Sequence, residues 1–269
     1  MSKNNYIEKK FYLNQCNFGD KVVIVTGGAR GIGAQIAREF AAGGAKIVLA
    51  DISEKQMKDT ALELKSNGVR CLTVKTDVTD WNAVQRMVDC CLEEFGRVDI
   101  LVNNAGTIHP ADYFTMAEKD WDFLQAVDLK GVVACSKAVA PHMIKREYGK
   151  IVNISSMAAF GVYMPGFSSY SAAKAAVNDF TKTSARELGK FGINVNAVAP
   201  GEIMTDLTFQ DQSKEDVAKK LERSKAMAMV GRIGMPEDVA NLVCFLASDC
   251  ASFITGEVIN VDGGRIDRM

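Results

Sequence analysis

The chain has 269 residues, 48% of them hydrophobic and 24% charged, with a formal net charge of −1. That length and balance fit one large α/β domain, and a near-neutral charge argues against nucleic acid or an anionic membrane as partner, because either would want a basic excess. Seven cysteines without a C-x-x-C spacing read as buried thiols of a reducing, cytoplasmic compartment, and two widely separated histidines, His109 and His142, give no reason to expect a metal.

Residues 1–18 are polar and lysine-bearing, lack the apolar stretch of a signal peptide, and read as a short extension before a domain spanning 19–269. No later run reaches the length of a membrane span. Val22-Val23-Ile24-Val25 is a β-branched run of the kind covered on both faces. Ile32, Ile36 and Phe40 mark one buried helix face, and Gly43-Gly44 ends that helix. Ile47–Leu49 is the next strand, and Ser53 with Gln56 has the spacing of a capping box opening the next helix. A strand at Cys71–Val74 precedes a helix with Val84, Met87, Val88, Cys91 and Phe95 on one face. Strands follow at Ile100–Val102, Ile151–Ile154, Val195–Val198 and Val258–Val261. Seven strands alternating with helices predict a doubly wound, Rossmann-type parallel sheet in one domain, with a less regular insert over about 206–234.

The first strand runs into Thr26-Gly27-Gly28-Ala29-Arg30-Gly31-Ile32-Gly33. Glycines let the chain turn sharply and let a pyrophosphate approach the backbone, while the following helix aims free N–H groups at it. Asp51 closes the second strand, where a carboxylate can accept hydrogen bonds from both adenosine ribose hydroxyls and repel a 2′-phosphate. Arg30 could reach such a phosphate, but the carboxylate lies nearer the ribose, so the expected cofactor is NAD.

Ser155-Ser156 follow the fifth strand, and Tyr170 and Lys174 share a helix face at i and i+4. A phenol is a poor base at neutral pH, and an adjacent ammonium favours its phenolate. Ser156 can hydrogen-bond and polarise a substrate oxygen. Taken in order, Thr26–Gly33, Asp77, Asn103-Asn104-Ala105-Gly106, Ser156, Tyr170/Lys174 and Pro200-Gly201 through Thr205 closely resemble the short-chain dehydrogenase/reductase family over about residues 20–264. The turn and helix start at Gly27, Arg30, Gly31, Ile32 and Gly33 are the expected cofactor-binding residues at the phosphate end. The resemblance implies that Asp77 and Val78 flank adenine, and that Asn104 and Gly106 line the cleft. Tyr170 would be the general acid/base, Lys174 would hold the nicotinamide ribose and lower the Tyr170 pKa, and Ile203 and Thr205 would meet the carboxamide. Members of the family are commonly tetramers or dimers.

One position departs from the pattern. Val127-Asp128-Leu129-Lys130-Gly131 carries Asp128 where the family has an asparagine in its proton relay. Part of that role belongs to the backbone carbonyl, which Asp128 keeps. Its side chain adds a negative charge near Lys174 that should strengthen the ammonium and raise the Tyr170 pKa. The expectation is an active enzyme with an alkaline-leaning optimum.

For substrate, the family topology offers Met157, Phe160, Val162, Tyr163, Met164, Phe167, Met204, Leu207 and Phe209, with Met227 and Met229 further on. Thioethers and rings suit a bulky apolar or cyclic, hydroxysteroid-like secondary alcohol or its ketone. Packing of the insert, or a subunit contact, would use the same residues. His109 could touch substrate or be an exposed loop residue. The alternatives are an NADP-dependent 3-oxoacyl reductase, disfavoured by Asp51, Glu147 and Phe191; a sugar or polyol dehydrogenase, which would want a more polar pocket; and a non-catalytic dinucleotide-binding protein, which intact Ser156, Tyr170 and Lys174 oppose.

Overall fold

A computed structural model of the chain describes residues 17–161, 165–205, 208 and 213–265. Strand β1 (Val22–Thr26) is buried at every position, so its apolar run has no solvent face to alternate toward. It pairs in parallel with β2 (Lys46–Asp51) on one side and β4 (Ile100–Asn103) on the other. With β3 (Cys71–Lys75), β5 (Gly149–Ile154), β6 (Ile193–Pro200) and β7 (Val258–Val261), it forms one seven-stranded parallel sheet in the order β3-β2-β1-β4-β5-β6-β7. Strand order reverses between β1 and β4, which opens a crevice at their carboxyl ends.

Helices cover both faces. On one, α1 (Gly31–Ala42) and α2 (Glu54–Ser66) bury Ile36, Phe40, Met57 and Leu64 against the sheet. On the other, α3 (Trp81–Phe95) buries Val84, Met87, Val88 and Cys91, with Phe95 partly buried beside them. A short α4 (Glu118–Gln125) runs through a π-helical turn, Ala126–Lys130, into α5 (Gly131–Arg146). The long α6 (Ser168–Leu188), then α7 (Lys214–Met227) and α8 (Pro236–Ala247), complete the set among the described residues.

Three expectations need correction. Phe18 belongs to the fold, not to an extension: it is 4% exposed, its ring meets Phe40 edge-on at 4.7 Å, and its N–H donates to the Gly43 carbonyl. Ser53 and Gln56 form no capping box, because the Ser53 N–H is taken by Asp51 Oδ1 at 2.9 Å and the Ser53 hydroxyl makes no cap bond. The insert is more regular than expected: Ser213 accepts the Asp216 N–H and caps α7, whose sequence carries few apolar residues to mark it. No helix among the described residues is long and apolar enough to cross a membrane. Cys71, Cys90, Cys91 and Cys135 are free thiols, and burial pushes those of Cys91 and Cys135 up to about 12.

Candidate active site

A cleft of about 470 Å³ opens at the carboxyl ends of the central strands. At its phosphate end, Asn104 ties the glycine turn to β4. Its Nδ2 donates to the carbonyls of Thr26 (3.0 Å) and Gly27 (2.9 Å), while the Thr26 hydroxyl accepts the N–H groups of Asn104 and Ala105. Gly31 takes the left-handed region at φ +56°, and a Cβ on Gly33 would run into the Gly27 carbonyl oxygen. α1 starts with no side-chain cap and no acid in its first turn, so its leading N–H groups, among Gly31, Ile32 and Gly33 on the cleft wall, are open to an anion. This cradle fits a dinucleotide pyrophosphate.

At the rim, Asp51 is fixed by the backbone: Oδ2 accepts the Ala29 N–H at 3.1 Å and Oδ1 the Ser53 N–H. Each oxygen keeps acceptor capacity for a ligand hydroxyl. Arg30 lines the same rim and is exposed. Asp77 is exposed with its Oδ1 held by Thr79, and Val78 is buried against Gly131; both line the cleft.

At the other end, α6 places Tyr170 and Lys174 one turn apart. Lys174 is 3% exposed; its Nζ donates to the Ile154 carbonyl at 3.1 Å, lies 3.2 Å from Asp128 Oδ1, and is 5.7 Å from the Tyr170 ring centre. Ser155 anchors the helix by donating its one hydroxyl proton to Asn178 Oδ1 at 2.5 Å, with the Lys174 carbonyl 3.2 Å from the same oxygen. Ser156 accepts the Ala158 N–H at 3.2 Å and lines the cleft with Tyr170, where its hydroxyl favours the phenolate. Asp128, on the π-helical turn, is 0% exposed; Oδ1 also accepts the Thr107 N–H at 3.1 Å, and Oδ2 has no partner among the described residues. A Cβ at Gly106 would meet Asp128 Oδ1 at 2.6 Å and push that carboxylate off its place beside Lys174.

The electrostatics follow from this packing. Burial raises the Tyr170 pKa; Lys174 opposes that, and the Asp128 charge reinforces it. Burial disfavours the Lys174 ammonium, but Asp128 and Tyr170 outweigh burial and hold its pKa above the usual lysine value. Burial raises the Asp128 carboxyl against the pull of Lys174 and the Thr107 N–H. Asp128 therefore reaches Lys174 by direct contact of its side chain.

Ile203 and Thr205 close the cleft beyond β6, so every residue assigned above to cofactor or chemistry lies on this one wall system. The substrate residues fare differently. Met157 is buried in the core, Phe160 and Met229 are exposed away from the cleft, and Phe167 meets Tyr170 edge-on at 6.1 Å. Met204 and Met227 are half-buried and do not line the cleft, while Val162, Tyr163, Met164, Leu207 and Phe209 lie outside the described residues. Ile108, Phe123 and Val127 line the cleft instead; they sit on a loop, on α4 and on the π-helical turn, and no periodicity singled them out. His109 is exposed, 3.8 Å from Asp120.

A glycine-cradled anion site joined to a Ser–Tyr–Lys cluster on a doubly wound sheet defines a nicotinamide-dinucleotide oxidoreductase. Residues 27–265 match the family model described as enoyl-(acyl carrier protein) reductase. The chain is 41% identical over 246 residues to the (2S)-[(R)-hydroxy(phenyl)methyl]succinyl-CoA dehydrogenase subunit BbsD of Thauera aromatica, covering 91% of this chain and 96% of that protein. It is 40% identical over 249 residues to the 3-oxoacyl-[acyl-carrier-protein] reductase FabG of Thermotoga maritima, covering 91% and 98%. The crystal structure of a dehydrogenase/reductase from Sinorhizobium meliloti 1021 superposes with a TM-score of 0.87 at 33% identity, covering 95% of this chain and 98% of that one. The chain belongs to the short-chain dehydrogenase/reductase family.

Proposed function

We propose that this chain is an NAD(H)-dependent oxidoreductase that interconverts a secondary alcohol and a ketone bearing a bulky apolar or cyclic group. The observation that carries the reading is Tyr170, Lys174 and Ser156 converging at one end of a cleft whose other rim holds the fixed carboxylate of Asp51. Bound nicotinamide supplies the hydride acceptor or donor. Tyr170 takes the proton from the alcohol, or gives it to the carbonyl oxygen, and Ser156 hydrogen-bonds that same oxygen. Lys174 holds charge beside the phenol, and Asp128 holds Lys174. Asp77 and Val78 flank adenine, Asn104 and Gly106 wall the cleft, and Ile203 and Thr205 face the nicotinamide end. Ile108, Phe123 and Val127 favour an apolar substituent. In this reading the enzyme is a cytoplasmic homotetramer or homodimer, consistent with exposed apolar side chains such as Phe245 and Phe253.

A second reading, a 3-oxoacyl thioester reductase using NADP, is favoured by the FabG relative. Against it stand Asp51, and a cleft whose one exposed cation among the described residues is Arg30. The test is a turnover screen of the purified protein with NAD⁺ over steroid, cyclic, aliphatic and polyol alcohols. Expected is NADH formation with bulky apolar alcohols, falling by roughly 10²–10⁴-fold in Tyr170→Phe while NADH still binds. Turnover confined to NADPH and 3-oxoacyl thioesters would establish the second reading instead.

A further inference from the structure

The segment that follows β6 is a wall between two cavities. Gly201, Ile203 and Thr205 line the main cleft, while Glu202 lines a second cavity of about 180 Å³ with Ser224 and Arg265. The Glu202 carboxylate gathers one hydroxyl and two cations. It accepts the Ser224 hydroxyl from α7, lies 3.4 Å from Lys220 Nζ on the same helix, and stands 4.0 Å from Arg265 Nη1.

Lys220 also reaches toward the cleft. Its Nζ donates to the Thr208 carbonyl at 2.8 Å. The Thr208 hydroxyl donates to the Ile203 carbonyl at 2.6 Å and shares a 2.9 Å bond with the Thr205 hydroxyl. With the Thr208 proton committed to Ile203, the proton of the shared bond comes from Thr205. The Thr208 N–H donates to that same Thr205 oxygen at 3.2 Å. The Thr205 hydroxyl is thereby oriented with its oxygen as an acceptor. A continuous set of bonds thus runs from Glu202 through Lys220 and Thr208 to Thr205. One end lies in the second cavity and the other on the cofactor wall.

We infer that Lys220 and Glu202 are positioning residues that act through Thr208 to hold Thr205, and so set affinity for the nicotinamide half of the dinucleotide. They touch neither the cleft's phosphate end nor Tyr170. Removing the ammonium leaves the Thr208 carbonyl without its charged donor and lets the Thr205 hydroxyl turn, while the glycine turn, Asp51 and Asp77 keep their own bonds. The inference rests on the cofactor reading of the cleft.

The test compares NADH with ADP-ribose, which has the same adenosine and pyrophosphate but no nicotinamide, by fluorescence and calorimetric titration of the full chain. Lys220→Met is expected to weaken NADH by about tenfold, the scale of one charge-assisted hydrogen bond, and to leave ADP-ribose within about twofold. Lys220→Arg restores NADH binding. Glu202→Gln, which keeps the side chain's shape and its bond from Ser224, shows the same selective loss in smaller degree. Equal weakening of both ligands would mark a merely structural role and overturn the inference, as would unchanged NADH binding in both variants. A wild-type protein that binds neither ligand would overturn the cofactor reading, and the inference with it; one that binds both ligands, with no selective loss in the variants, overturns the inference alone.

Discussion

Lys174 Nζ lies between the Ile154 carbonyl and the Asp128 carboxylate, both Lys174 and Asp128 being buried, with the half-buried Tyr170 ring one helical turn away on the cleft wall. Beside buried charges such as these, a neighbouring charge acts strongly on a proton equilibrium. The ammonium favours the phenolate of Tyr170, and Asp128 works against it; together with burial, Asp128 keeps the phenol above its ordinary pKa. Alcohol oxidation needs the phenolate, so its rate rises as pH climbs toward that raised pKa. Ketone reduction needs the phenol, so it holds at lower pH and falls on the alkaline side. Asp128→Asn removes the opposing charge but keeps an oxygen able to accept from Thr107 and Lys174. Measured as kcat for oxidation against pH, the rising limb should move to lower pH, with peak activity retained to within about tenfold. A limb that stays in place, or activity that disappears, would show that Asp128 serves another purpose. Tyr170, Lys174 and Ser156 were legible because they stand near one another in sequence on a strand end and one helix face. Thr107, which holds Asp128, was not, since a backbone donor carries no residue signature.

Among the elements, the β1 turn and α1 carry most of the binding geometry. Asn104, from the far side of the switch point, bonds two carbonyls of the turn, and Gly33 packs under them without room for a methyl group. Gly33→Ala must therefore push the turn off β4. Its expected effect is a loss of about 1–3 kcal/mol in unfolding free energy, the cost of overpacking a tight site, together with at least about tenfold weaker NADH binding. Denaturant unfolding and the same titration check both; unchanged values would mean that the turn yields more easily than its packing implies. Strands and helices whose apolar residues face the core were readable, from Val22–Thr26 to the α3 face. The failures lie where a competing partner took the donor, as Asp51 did from Ser53, or where few apolar residues marked a helix, as in α7.

Across the whole molecule, the central strands made the fold readable, because strands covered on both faces carry unbroken apolar runs, whereas the edge strands β3 and β7 are only partly buried. The cofactor end was readable for the same reason: its residues follow strand ends directly. The substrate end was not. Its apolar lining brings Ile108 together with Phe123 and Val127 across a loop and a helix, and several residues expected there pack or point elsewhere. Asp51 and Arg30 line one rim with opposite charges, and the proposed preference for NAD depends on which of them governs it. The decisive measurement is a paired fluorescence titration of the wild-type protein with NADH and NADPH at one ionic strength. If Asp51 governs the ribose site, NADH binds tighter by at least about tenfold, or ~1.4 kcal/mol. NADPH binding as tight or tighter would give that rim to Arg30 and contradict the NAD-dependent reading.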